Sequence, residues 1–203
     1  MHLGVCGWYG HSDTGIEDGH EGVVKLLLGR KDVKSDKPDS YGRTLLCCAA
    51  RHGHEAAVKM LLERGGVSPD KPDNDDRTPL SWAARNGHEG VVKILLERDD
   101  VSPDKPDSDG RTPLCLAAHY GDEGVVKILL EQGGVSPDKP DNNGRTPLCW
   151  AAQNGYEGVV RALLECEDVS PDKPDSSRRT PLWWAILNSH AGVAALLEPR
   201  GQM

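Results

Sequence analysis

Three His-Glu pairs, His20-Glu21, His54-Glu55 and His88-Glu89, are the residues of this chain nearest in type to a hydrolytic zinc site. That chemistry needs a second histidine one helical turn on, so that two imidazoles hold the metal while the glutamate acts as base. Val24, Val58 and Val92 stand four residues after the three histidines. The pairs therefore read as polar helix starts, each glutamate near the positive end of a helix dipole. Of the six cysteines, Cys47, Cys115 and Cys149 recur at one register position. Packed helices one unit apart lie roughly 8–10 Å from each other, beyond the ~7 Å between Cα atoms that a disulfide spans. Adjacent Cys47 and Cys48 point in different directions on one helix. No histidine or acidic cluster converges on them to make a nucleophile or a metal ligand, so reduced, buried packing is expected. The chain has no Gly-x-x-x-x-Gly-Lys-Ser/Thr phosphate loop and no Gly-x-Ser-x-Gly nucleophile turn. Asp-Gly and Asn-Asn-Gly suit tight turns, and a twelve-residue calcium loop with its closing glutamate is absent. The expectation is a chain with no catalytic residue, no metal site and no cofactor.

A charged column remains. Arg43, Arg77, Arg111, Arg145 and Arg179 recur at a fixed period. A guanidinium offers a planar fork of donors that fits a carboxylate. The column reads in two ways: as a ladder for a carboxylate-bearing partner, or as local pairing with Asp39, Asp73 and Asp107. Trp82, Trp150 and Trp184 form a second column, which Cys48 and Leu116 share. Exchange among apolar types at one position points to packing between units.

What positions these columns is a 34-residue unit, marked by Asp-Lys-Pro-Asp at Asp36, Asp70, Asp104, Asp138 and Asp172. Such a period means that each unit is one supersecondary element whose apolar face is buried only by its neighbours. Residues 70–103 and 104–137 are identical at 24 of 34 positions. Thr78, Thr112, Thr146 and Thr180 each precede a proline, which suits an N-cap hydroxyl and a first helical residue that needs no N–H. The first helix runs through Ala83-Ala84 and their equivalents to Gly87, Gly121 or Gly155, which tolerate a left-handed cap. A second helix opens at Glu89, Glu123 or Glu157 and carries Val91, Val92, Ile94, Leu95 and Leu96 as its apolar stripe. Both are shorter than the roughly 12 residues an isolated helix needs, so stacking supplies the stability. Between units, Val101 to Gly110 holds two prolines and an Asp-Gly, which excludes a helix and favours a hairpin-like loop. Asp76 and Arg178 replace the turn glycines Gly42, Gly110 and Gly144. The last hairpin is therefore expected to be distorted or to avoid positive φ.

The hairpin, Gly-Arg-Thr-Pro-Leu, Ala-Ala, Asn-Gly-His and Val-Val-Lys-Ile-Leu-Leu-Glu recur in register and resemble the ankyrin repeat over residues 19–203. The tetratricopeptide unit shares the period but lacks the proline-rich hairpin. Two departures are plain. The loop is one residue longer than in the usual 33-residue unit, and the histidine that commonly follows Thr-Pro-Leu is replaced by Cys47, Ser81, Cys115, Cys149 and Trp183. That puts this histidine's hydrogen bonds in question. The units are also similar to fungal ankyrin arrays, some of them attached to NACHT-type NTPase receptors. The resemblance implies an all-α repeat solenoid of helix-turn-helix units joined by β-hairpin-like loops, binding a protein partner along the hairpin tips and the exposed side of the first helices. On this chain that face falls on Tyr41, Arg43, Arg51, His52, Asp75, Arg77, Arg85, Asn86, Asp109, Arg111, His119, Tyr120, Asn143, Arg145, Gln153, Asn154, Ser177 and Arg179. Tips and helix ends vary on a nearly constant frame, as a modular recognition surface requires and as drift at solvent-exposed positions also produces. Two functions stand open: a protein-binding scaffold, or a spacer or fragment of a larger receptor whose effector domain is outside this chain.

With 203 residues, a net charge of −8 and acidic residues in every unit, the chain is disfavoured as a nucleic-acid binder. Residues 1–18 show neither a basic start nor a long apolar run, and no 18-residue apolar span occurs. No membrane association is expected, and the location expected is intracellular, in the cytoplasm, with the nucleus open. The expected organisation is an atypical segment over 1–18, a partial repeat over 19–35, and five repeats over 36–69, 70–103, 104–137, 138–171 and 172–203. In the last, Ala191 and Ala195 replace the glutamate and the lysine or arginine of other units. Residues 191–197 should then be apolar on more than one side, beside Trp183-Trp184, which suggests weak self-association or cover by further sequence.

Overall fold

The computed structural model describes residues 36–64 and 66–198, and the segments over 1–18 and 19–35 lie outside them. Two compact units meet between Ser102 and Pro103. The first holds α1 (Leu45–Arg51), α2 (Glu55–Glu63), α3 (Pro79–Arg85) and α4 (Glu89–Leu96). The second holds α5 (Pro113–Tyr120), α6 (Glu123–Leu130), α7 (Pro147–Asn154), α8 (Glu157–Leu164), α9 (Pro181–Leu187) and α10 (Ala191–Leu197). Among the described residues every regular element is a helix, and the fold is an all-α repeat.

Each odd-numbered helix starts where the sequence places it. Thr44, Thr78, Thr112, Thr146 and Thr180 are extended, and each Oγ1 accepts the N–H of the residue three positions on. Gly121 and Gly155 close α5 and α7 with φ of 82° and 78°. Each even-numbered helix except α10 opens on a glutamate. In the first unit α1 packs on α3 and α2 on α4; in the second α5, α7 and α9 form one layer and α6, α8 and α10 the other. Val91, Val92 and Leu95 of α4 and Val125, Val126 and Leu129 of α6 are fully buried between the layers. Of the apolar stripe read from the sequence, Val91, Val92 and Leu95 join the core, while Ile94 and Leu96 are half-buried.

The Asp-Lys-Pro-Asp mark has a separate job for each charged group. The second aspartate shapes the hairpin: Oδ1 of Asp141 accepts the N–H groups of Asn143 and Arg145 at 2.8 and 2.9 Å. Asp141 N–H donates to Arg145 O at 2.9 Å, and Gly144 N–H to Asp141 O at 2.9 Å. The lysine reaches back one repeat: Nζ of Lys71 donates to O and Oδ2 of Asp36 at 2.7 and 2.8 Å, and Lys139 and Lys173 treat Asp104 and Asp138 alike. Neighbouring hairpins are tied by backbone bonds, Asn74 N–H to Tyr41 O in the first unit and Ser176 N–H to Asn143 O in the second.

Where the common histidine is missing, thiols take up a link to the next repeat. Sγ of Cys47, Cys115 and Cys149 lies 3.6, 3.5 and 3.9 Å from the carbonyls of Lys71, Lys139 and Lys173. All three cysteines are buried, and burial pushes the Cys115 thiol up to about 12.

Two expectations change. Arg178 and Asp76 do take positive φ, 62° and 58°, in the left-handed region of Gly110 and Gly144. The last hairpin is also regular, with Arg178 N–H donating to Asp175 O at 2.8 Å and Asp175 N–H to Arg179 O at 2.9 Å. Side chains enter this well at a cost of about 1–2 kcal/mol; the two backbone bonds and the Asp175 carboxylate fix the turn in spite of it. In the last helix pair, Val193 and Leu197 of α10 are buried while Ala191 and Ala195 are exposed. The large exposed apolar side chains belong to α9: Trp183, Ile186 and Leu187 are 41%, 62% and 56% accessible. Trp183 and Ile186 stand where Cys149 and Ala152, both fully buried, are covered by the following helix pair.

Candidate functional site

The hairpin side of each unit carries the arginine and tryptophan columns, and one register position decides how they combine. In the first unit Cys48 occupies the tryptophan position of its repeat. There Asp39 keeps Oδ2 for Arg43, at 3.0 Å from Nε and 2.8 Å from Nη2, and the guanidinium covers the exposed Tyr41 ring at 4.7 Å. One repeat on, Trp82 is buried and its Nε1 donates to Asp73 Oδ2 at 2.9 Å. Arg77 turns instead to the tip residue Asp75 at 2.7 Å and lies over Trp82 at 4.9 Å, joined there by Arg51 and Arg85 at 5.2 and 5.4 Å. Three cations surround one indole.

The second unit repeats the alternation. The Leu116 side chain has no N–H to give, so Asp107 Oδ2 takes Arg111 at 3.1 Å from Nε and 3.0 Å from Nη2, and the tip residue Asp109 pairs with Arg111 as well. Nε1 of Trp150 and of Trp184 donate to Oδ2 of Asp141 and Asp175, at 3.1 and 3.2 Å. Arg145 lies between the two indoles, 4.6 Å from Trp150 and 4.5 Å from Trp184, and its Nη1 donates to Gln153 Oε1 at 3.1 Å. His119 stacks on Trp150 at 4.2 Å and on Tyr120 at 4.7 Å. Arg179 lies 4.6 Å from Trp184 and 5.2 Å from Trp183, which is itself edge-on to Trp184. A continuous ladder results: Tyr120, His119, Trp150, Arg145, Trp184, Arg179, Trp183. Its two end rings are exposed.

Electrostatics follow the geometry. Burial opposes ionisation of Asp175, but the N–H groups of Arg179 and Ser177, the Arg179 charge and the Trp184 indole outweigh it and hold the carboxyl below its ordinary value. Arg111 is raised: burial opposes its charge, and the Asp107 hydrogen bond and charge prevail.

The residues expected at a partner face therefore fall into kinds. Asp75, Asp109, Asn143 and Ser177 are exposed hairpin tips, and Tyr41 and Tyr120 are exposed rings. Arg51, Arg77, Arg85, Arg145, Arg179 and His119 cover tryptophans, while His52 stacks on His54 at 6.0 Å. Asn86 and Asn154 use their amides internally. Their Nδ2 groups donate to Trp82 O and Trp150 O in their own helices and to Arg51 O and His119 O one repeat back. Sequence reading placed the tryptophans in the core and did not see them as the floor under the arginines. The signal was present: each tryptophan follows its arginine by five residues and its aspartate by nine.

Tandem capped helix pairs joined by tied hairpins decide the family. A model of ankyrin repeats, three copies long, matches residues 15–107, 100–175 and 134–202. The chain belongs to the ankyrin repeat family. A comparison with curated proteins finds no match. Ankyrin repeats are in general modules for protein interaction and serve as non-catalytic scaffolds. Among the described residues of this ankyrin chain, no three His, Cys, Asp or Glu side chains are grouped to hold a metal, and no helix is long and apolar enough to cross a membrane.

Proposed function

We propose that this ankyrin chain is an intracellular scaffold that binds a protein partner along the hairpin tips and first helices of its five repeats over 36–203. The observation that carries this reading is the aromatic and cationic ladder of the second unit, which concentrates on one face the residue types that anchor protein interfaces, Trp, Tyr and Arg. Its groups are held by stacking and hydrogen bonds before a partner arrives, which lowers the ordering cost of association. Recognition then proceeds by shape and polar contact, without chemistry on the partner. Tyr120→Ala and Trp183→Ala together should abolish capture of a specific partner in a pull-down from the native cell. Undiminished capture would favour the other reading, a spacer in a larger receptor akin to the fungal NACHT arrays.

Exposed Trp183, Ile186 and Leu187 support a second, weaker contact, self-association through the last helix pair. Light scattering should show concentration-dependent dimers that Ile186→Glu disperses. A monomer at every concentration would refute it.

A further inference from the structure

Among the described residues, four of the five column arginines meet a carboxylate: Arg43 that of Asp39, Arg77 that of Asp75, Arg111 those of Asp107 and Asp109, and Arg179 that of Asp175. Arg145 meets none. Two local features accompany this. Asp141 spends Oδ2 on the Trp150 indole and Oδ1 on two backbone N–H groups. The tip position that supplies Asp75 and Asp109 in other repeats is Asn143 here, which carries no charge. The half-buried guanidinium is clamped between two indoles, with Nη1 on Gln153 Oε1 and Nε buried without a hydrogen bond. A partly desolvated cation held flat and lacking a counter-ion is poised for a charge-assisted, bidentate bond.

We propose that Arg145 is the anchor for an aspartate or glutamate side chain in an acidic segment of the protein partner. The proposal rests on the hairpin side being the recognition face and names the chemistry recognised there. Arg179 stands one repeat on, with Nε 3.4 Å from Asp175 and outside hydrogen-bond geometry. It supplies a second positive charge about 10 Å away, within reach of the same extended segment. The arrangement does not suit stacked nucleobases: Trp150 is covered by His119 and Arg145, Trp184 by Arg145 and Arg179, and the chain carries a net charge of −8.

The test is selection of a phage-displayed random dodecapeptide library on the full chain, followed by fluorescence-polarisation titration of the peptides recovered. Selected peptides should be enriched in aspartate and glutamate. Replacing the acidic residue of a selected peptide by its amide should weaken binding at least about tenfold, the scale of one hydrogen-bonded charge pair, and affinity should fall as salt rises. Arg145→Gln should weaken binding equally. Asn143→Asp should do so as well, because it restores the tip carboxylate that Arg77 and Arg111 already have. The peptide substitution needs no change in the protein, so an Arg145 variant that fails to fold leaves the test intact. Peptides that bind the hairpin face without an acidic residue, or whose affinity survives both Arg145→Gln and Asn143→Asp, would overturn the anchor while leaving the recognition reading standing. Failure to select any peptide, or tighter Arg145-dependent binding of a twelve-nucleotide single strand, would overturn it too.

Discussion

Each hairpin aspartate has one oxygen committed to the backbone and one to allot, and the side chain nine residues on decides where it goes. Given an indole there, the aspartate accepts its N–H and the arginine lies over the ring, Arg179 still within 3.4 Å of Asp175; given Cys48 or Leu116, the arginine hydrogen-bonds the aspartate. Asp141→Ala leaves the Trp150 N–H and two hairpin N–H groups without their acceptor and should cost about 3 kcal/mol, read from urea denaturation. The same substitution should move Arg145 by removing the support of the indole below it. Asp175 links this device to pH. Its carboxyl is held below the unfolded value, so it contributes stability above the ordinary carboxylate range near pH 4, and that contribution is lost as pH falls through the folded value. Thermal unfolding between pH 5 and pH 2 should show a fall in melting temperature that is smaller in Asp175→Asn. These columns were legible in the sequence one at a time. Their exchange was not, because it depends on which of two donors reaches one buried oxygen.

At the scale of elements, the helix starts were written locally. Thr-Pro puts an acceptor and a donor-free residue where the first turn needs them, and all four such sites cap as expected. Thr44, followed by Leu45, caps α1 without the proline. The hairpins were legible as loops, but the tolerance of Arg178 was not. Positive φ is penalised residue by residue, whereas the turn is held by bonds from Asp175 that act whatever side chain stands at position 178. Arg178→Gly should therefore stabilise the chain by about 0.5–1 kcal/mol, seen as a raised urea midpoint with an unchanged slope. The apolar end surface shows the same limit. Composition pointed to residues 191–197, but packing turns Val193 and Leu197 inward and leaves Trp183, Ile186 and Leu187 of α9 outside.

At the scale of the molecule, repetition divides the labour. The Asp–Lys links, thiol contacts and capped helices recur with little change and fix the frame, while tips, helix ends and the tryptophan position vary upon it. A surface built this way can change its partner without a change of fold. If the hairpin side is the recognition face, partners must touch it and leave the exposed side of the second helices alone. The most direct measurement places a photo-crosslinking amino acid singly at Tyr120, Ser177, Lys93 or Lys127 in the native cell; the first two lie on the hairpin side and the last two on exposed positions of α4 and α6. Discrete adducts with one partner from Tyr120 and Ser177, and none from Lys93 and Lys127, are the expected result. Adducts from Lys93 and Lys127 with none from Tyr120 and Ser177 would contradict it.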